Sequence, residues 1–468
     1  MTSFLPQLPI SQWCPAFPPA DSIRIDGEAL NLTHVRTLPL PPIDGAGGWT
    51  QDIFTQHPHL VVWLWRSADS PFYCEFRNTS FTTPILLKYG TGVTVQLDPF
   101  SGQAFQNPLI NFSFVDSTTM DPRYSERIKY GEAVDVDVPA DAGSGLADFY
   151  PAMWMHTAKE GFSPLAIEFA LRYLGKNAAR SETPVFPPGH PKAGLLMVLE
   201  DDAPSLKDHF KNQYAVNSRK LAWCDPAHHD TSDPYELAIQ LGWPFAAQQL
   251  MSRVMLGVRR HAEFQTTGHN YYGQTRSFAW PHLSMTRGLK MLQAMGLTGL
   301  SVYKELDAVQ SWHVQYHDSI APVAHPWYEG SDAGPFKLAQ KNYLPVWQWS
   351  IEAFAHDFAG DIARRDAVMD RLEERGWNAA TGELYGKIAA DGSDLIEIAK
   401  TPGTGTWALS TFFRHRRESP YTKRMLAMYG AKIDPNKYGF PFDVRVFGDQ
   451  VLEAAAIVNA QPLPKGLS

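Results

Sequence analysis

The spacing of apolar residues changes period once along this chain, and that change restricts the fold more than any other feature. Leu60-Val61-Val62-Trp63-Leu64-Trp65, Phe72-Tyr73-Cys74-Glu75-Phe76, Ile85-Leu86-Leu87-Lys88-Tyr89 and Val93-Thr94-Val95-Gln96-Leu97 are short β-type runs. Turn formers such as Arg77-Asn78-Thr79-Ser80 and Gly90-Thr91-Gly92 separate them. Asn111-Phe112-Ser113-Phe114-Val115 and Ala133-Val134-Asp135-Val136-Asp137-Val138 alternate apolar and polar residues, as a half-buried strand does. Beyond Pro139-Ala140-Asp141-Ala142-Gly143-Ser144-Gly145 the apolar residues recur at helical spacing instead.

A chain of 468 residues is too long for one ordinary core, so two domains of about 100–200 residues each are expected. The sequence reads as a multi-domain β plus α protein. Residues 1–45, rich in Pro, form an extended arm lying on another surface. Residues 46–145 form a β-sandwich, and residues 146–468 an all-α domain. Helices are expected over 245–260, 276–292, 302–317, 343–358 and 361–376, with others at 164–174, 404–413, 421–429 and 447–458. One helix pair per about 45–60 residues is the spacing of an α/α toroid, in which inner helices alternate with outer ones; an irregular helical bundle is the alternative. Residues 377–402 interrupt the helices. There Asp391-Gly392 suggests the turn of a small hairpin able to fold over a pocket mouth.

Composition removes several function classes. The net charge is −8, from 41 basic and 49 acidic residues with no basic block, so nucleic acid is not expected as a partner. Three cysteines, Cys14, Cys74 and Cys224, lie far apart and give neither a disulfide scaffold nor a CxxC metal site. No apolar run of about 18 residues spans a membrane. The first residues show no secretory leader, which makes a cytoplasmic protein the default, although a processed secreted form or a virion component reads the same. Fourteen Trp suit either an aromatic-lined cleft or a large core.

Two polar clusters bracket one helical hairpin. The first is Cys224-Asp225-Pro226-Ala227-His228-His229-Asp230, the second His269-Asn270-Tyr271-Tyr272-Gly273-Gln274-Thr275-Arg276. Gly242-Trp243 ends a short helix and Pro244 fits the first position of the next. If the chain runs out and back, both clusters meet at one end of the helical domain. His228 and His229 beside Asp230 and Asp225 suit general acid/base work, because a carboxylate fixes the imidazole tautomer and holds its charged form. Helix capping by Asp230 or Ser232 is the plainer use of the same residues. Arg276 reads carboxylates bidentately, and Tyr272 moves a proton when a nearby cation lowers its pKa. His228, His229, Asp230, Tyr272 and Arg276 are therefore the candidate catalytic residues. Asp225, His269, Asn270, Tyr271, Trp280, Tyr343, Trp347 and Trp407 are candidate substrate-binding residues, the tryptophans as stacking platforms or as core packing. His313 and His317 have the i,i+4 spacing of a metal pair, but no third ligand is identifiable. Interior histidines are the plainer reading, and neither a metal nor a cofactor is expected. Glu352 and Glu383 remain as carboxylates that could serve as an acid, with no local signature.

The segment Tyr272-Gly273-Gln274-Thr275-Arg276-Ser277-Phe278-Ala279-Trp280 resembles the Arg-Gly-Gln-Ala-Trp type of inner-helix opening in toroidal carbohydrate-active enzymes, of the unsaturated glucuronyl hydrolase and polysaccharide lyase type. The resemblance covers about 225–280. This chain has Tyr272 where that pattern has Arg, Arg276 is displaced, and the N-terminal β-domain is not the glucuronyl hydrolase arrangement. It implies a carbohydrate-binding mouth and leaves hydrolysis, elimination and epimerisation open. The expected function is an enzyme cleaving an oligo- or polysaccharide with acidic sugar units by acid/base chemistry. Two other readings stand beside it: a toroidal lyase or isomerase acting on an apolar small molecule such as a terpenoid, and a non-catalytic structural or virion assembly protein. The N-terminal arm could serve in either case to join copies of the chain as a homo-oligomer.

Overall fold

A run as apolar as Leu60-Val61-Val62-Trp63-Leu64-Trp65 can sit in a strand only when both faces of that strand are covered. The computed structural model describes residues 23–106 except 57, 68–69 and 90–91; 174; 183–200; 235, 238–239 and 242–267; 276–320; 330–331; 337–338; 343–389 except 379 and 382; 397–398; 411–412; and 414–424. Nine strands lie in the first stretch: β1 (Arg24–Ile25), β2 (Glu28–Ala29), β3 (Thr33–Pro39), β4 (Trp49–Gln56), β5 (Leu60–Ser67), β6 (Ser70–Asn78), β7 (Ile85–Tyr89), β8 (Val93–Leu97) and β9 (Gly102–Gln106). They make a five-stranded sheet ordered β3-β4-β5-β6-β9 and a four-stranded sheet ordered β2-β1-β7-β8. All pairings are antiparallel.

Period-2 alternation sends the side chains of β5 into two different cores. Leu60, Val62 and Leu64 join Ile25, Phe76, Ile85, Leu87 and Leu97 of both sheets. Val61, Trp63 and Trp65 join a larger cluster that takes in much of the helical region, Leu250, Leu283, Leu306 and Ile351 among it. Trp65 stands opposite Tyr73 and Trp63 opposite Glu75, so Tyr73 and Glu75 share the face that looks toward the helices.

The helices are α1 (Pro244–Thr267), α2 (Arg276–Ala294), α3 (Ser301–Ile320), α4 (Val346–Ala359) and α5 (Ile362–Arg375). Pro244 opens α1 at the position where its missing N–H costs nothing. Asp361 caps α5 by accepting from the Arg364 backbone N–H at 3.2 Å. Residues 279–289 of α2 and 349–356 of α4 are buried on every side, as a helix inside a domain must be. In α3, residues 302, 306 and 313 are buried and most others face outward; in α5 the buried residues are Val368, Met369 and Leu372. Interior and peripheral helices therefore alternate from α2 to α5.

Between the helices lie short strands: β10 (Gly330–Ser331) pairs with β11 (Lys337–Leu338), and β12 (Tyr343–Pro345) leads into α4. After α5, β13 (Trp377–Asn378) and β14 (Glu383–Ala389) form a hairpin, and β14 also pairs with β12 and with β15 (Glu397–Ile398). The hairpin read from the sequence with Asp391-Gly392 as its turn corresponds to the pairing of β14 with β15, and the turn itself lies outside the described residues. The runs at 60–65, 72–76, 85–89 and 93–97 all fall in strands. Those at 111–115 and 133–138 lie outside the described residues. Within the stretch read as an arm, β3 lies along the edge of the five-stranded sheet and ends on Pro39, an edge being where a residue without N–H fits.

One aromatic side chain ties the sheet to the helices. Phe245, in the first turn of α1, stacks on Tyr73 with ring centroids 4.4 Å apart and also meets Trp49, Trp65 and Trp243. Gln51 and Gln248 exchange side-chain amide hydrogen bonds of 3.2 and 2.9 Å beside it. The Trp63 indole N–H donates to the Gly194 carbonyl at 2.8 Å. Gly194 has φ +80°, and a Cβ there would run into the Ile53 side chain. Gly194→Ala is expected to cost about 2–4 kcal/mol through backbone strain and overpacking. A urea titration checks it.

Candidate functional site

Three described carboxylates are buried outright, and what surrounds each one separates scaffold from site. Asp52 accepts from the Thr37 hydroxyl at 2.5 Å and pairs with Arg66 at 2.5 Å. Glu75 pairs with Arg77 at 2.9 Å, and Arg77 donates onward to the Phe100 carbonyl and the Thr183 hydroxyl. Burial raises the Glu75 pKa and the Arg77 charge opposes that rise. Both acids are held by a cation within the β region.

Glu352 differs. It is 0% exposed, neither carboxylate oxygen has a hydrogen-bond or cationic partner among the described residues, and burial pushes its pKa well above the ordinary carboxylate value. An ionised carboxylate without a partner in such surroundings would cost several kcal/mol, so burial favours the protonated form of the group over the charged one. Chemically, a carboxyl biased toward its protonated form is suited to giving up a proton.

Helical spacing gives Glu352 its neighbours. His356, one turn later on the same face of α4, has its ring 4.6 Å from that of His282 on α2. Both imidazoles are nearly inaccessible, at 3% and 2%. Further along, the Arg287 guanidinium and the Lys290 ammonium of α2 lie 5.9 and 4.8 Å from the Phe358 ring centroid. The contacts advance in the same sense along both helices, so α2 and α4 run side by side and begin at the same end. Glu352 then stands about one turn inside the start of α2. Between α2 and α3, Gln293 donates to Tyr303 and Gln310 to Thr286. That antiparallel register brings the buried His313 of α3 to the level of Leu283.

The residues expected to form the site fall as follows. Asp225, His228, His229, Asp230, His269, Asn270, Tyr271, Tyr272 and Trp407 lie outside the described residues. Arg276 is the first residue of α2. Tyr343 begins β12 and Trp347 is the second residue of α4, so both belong to the end where Arg276 stands; the backbone alone is described for all three. Trp280 is 2% exposed and belongs to the main core. His313 is interior, and of His317 only the helical backbone is described. Among the described residues no group of three or more His, Cys, Asp or Glu is arranged to hold a metal ion.

Tyr235 meets Arg287 and Phe358. Gly242 abuts Ala46 and Ile43, and the neighbouring Asp44 donates its backbone N–H to the Ala294 carbonyl. From Tyr235 to Gly242 the chain therefore runs in the same sense as α2.

Sequence reasoning noted Glu352 as a carboxylate without a signature and gave His282 and His356 no role. A charged residue inside the apolar pattern Trp349, Ile351, Ala353, Phe354 and Ala355 was the available signal. Comparison with family models, with characterised proteins and with solved structures finds no match to this chain. No described helix is long and apolar enough to cross a membrane.

Proposed function

We propose that this chain is a carbohydrate-active enzyme that cleaves an oligo- or polysaccharide containing acidic sugar units, with Glu352 as the proton donor. The observation that carries the reading is the buried carboxyl of Glu352, without a hydrogen-bond partner among the described residues, one helical turn before His356, whose ring meets that of His282. Both hydrolysis and elimination require a proton on the departing glycosidic oxygen, and a carboxyl whose protonated form is favoured by burial can supply it. Arg276 neutralises the uronate carboxylate. In an elimination the same cation holds the charge of the enolate while Tyr272 or a histidine of the first cluster, His228 or His229 beside Asp230, removes the proton.

Supporting an α/α-toroid architecture are the alternation of interior and peripheral helices and the parallel course of α2 and α4. The two N-terminal sheets, which share one apolar cluster, fit a β-sandwich. An acidic substrate suits the end where α2 and α4 start, because helix N-termini carry partial positive charge. Asp225, His269, Asn270 and Tyr271 would complete the binding surface, with Tyr343, Trp347 and Trp407 as stacking platforms.

The test is turnover on a panel of uronate-containing and neutral polysaccharides, following reducing ends together with the absorbance of unsaturated uronate. Wild type is expected to cleave uronate polymers, and Arg276→Ala and His229→Ala to lose about 10²-fold or more. Absence of cleavage of any glycan by wild type, or full activity in both variants, overturns the proposal.

A further inference from the structure

We infer that one internal water molecule is bound at the seam between the five-stranded sheet and α1, where it bridges Trp65, Tyr73, Glu75 and Gln249. Trp65 and Tyr73 stand opposite each other on β5 and β6, with ring centroids 5.4 Å apart, and Glu75 lies two residues along β6 on the same face. Gln249 comes from α1, one turn after the Phe245 whose ring stacks on Tyr73. Burial raises the pKa of the Tyr73 hydroxyl and of the Glu75 carboxyl, and the Gln249 amide acts on both in the opposite sense. None of the four side chains is more than 3% exposed.

Part of this polar set is already taken up. Glu75 Oε1 is paired with Arg77 Nε at 2.9 Å, and Gln249 Nε2 donates to the Leu174 carbonyl at 3.1 Å. Left over are two donors, the Trp65 indole N–H and the Tyr73 hydroxyl, and two acceptors, Glu75 Oε2 and Gln249 Oε1. None of these has a hydrogen-bond partner among the described residues. Four buried polar groups left unmade would together cost on the order of the whole stability of a domain. A water molecule accepts two hydrogen bonds and donates two, so one water is the complement of the set, and polar surroundings with about two to four partners are what holds a water inside a protein. Closed off from solvent and walled by the rings of Trp63 and Phe245, both in contact with Trp65, the set admits the smallest such ligand. Strands β5 and β6 then supply three of its hydrogen bonds and α1 the fourth, which joins the sheet to the helix at the depth of the Phe245 contact.

The experiment is water-selective NMR cross-relaxation on the full-length protein with nitrogen-15 in its tryptophan indoles, where Trp65→Phe assigns the Trp65 resonance by removing it. A cross-peak between water and the Trp65 indole proton, with the sign of a long-lived water, is expected. Tyr73→Phe removes the hydroxyl of the set, whose own exchange with solvent would give the same signal. The cross-peak is expected to persist in that variant, because about three partners still hold a water. Its absence from wild type overturns the inference, and its loss in Tyr73→Phe assigns the signal to the phenol and overturns it too. If Tyr73→Phe fails to fold, a crystal structure of the wild type decides. A water oxygen at hydrogen-bonding distance from Tyr73, Glu75 and Gln249 is the expected result, and direct pairing of Tyr73 with Gln249 the contrary one.

Discussion

Glu352→Gln is expected to lose about 10²–10⁴-fold in turnover and to become more stable than wild type as the pH rises. Both effects follow from the same buried carboxyl. In the folded protein its pKa stands well above the 4.5 of a free glutamate. The stability tied to its protonation is therefore fully present below about pH 4.5 and is lost as the pH rises toward the folded value. Across that window the wild type gives up about 1.4 kcal/mol per pH unit from this group. Gln keeps the shape and never ionises, so the gap in its favour widens from about pH 4.5 upward. Urea midpoints of the two proteins across that range measure it. Parallel curves would mean that Glu352 titrates normally.

Phe245→Ala is expected to cost about 3–5 kcal/mol and to loosen the sheet and the helices together. Phe245 is fully buried, stacks on Tyr73, and touches Trp49, Trp65 and Trp243. Removing the ring opens a cavity between β6 and α1, at the seam where the larger core joins sheet to helices. Chemical denaturation followed by tryptophan fluorescence and by far-ultraviolet dichroism should give one coincident, weakened transition. Separated transitions, with the helical signal unaffected, would show that the two regions do not depend on this contact.

What the sequence revealed, and what it did not, follows from the range of the interactions involved. Pro244 and Asp361 mark helix starts by local chemistry, an absent N–H in one case and a side-chain cap in the other, and both mark true starts. The runs at 85–89 and 93–97 coincide with β7 and β8 because short strands between turn formers are locally specified. The early strands β1 to β3 were hidden by the prolines around them, and their pairing with β7 and β4 depends on distant chain. Nor does the sequence say that Trp63 and Trp65 face a helix while Val62 and Leu64 face a second sheet. Glu352 shows the same limit: its immediate sequence neighbours are apolar, and the imidazole that meets His356, one turn along from it, belongs to α2. Arg276 was legible as a helix opening, and it begins α2.

The most direct test of the account is a carbon-13 NMR titration of the glutamate side-chain carboxyls in wild type and Glu352→Gln. One resonance is expected to remain at its protonated position through neutral pH and to be missing from the variant. If every glutamate carboxyl in the wild type has ionised by neutral pH, Glu352 is not held as an acid and the proposed chemistry fails.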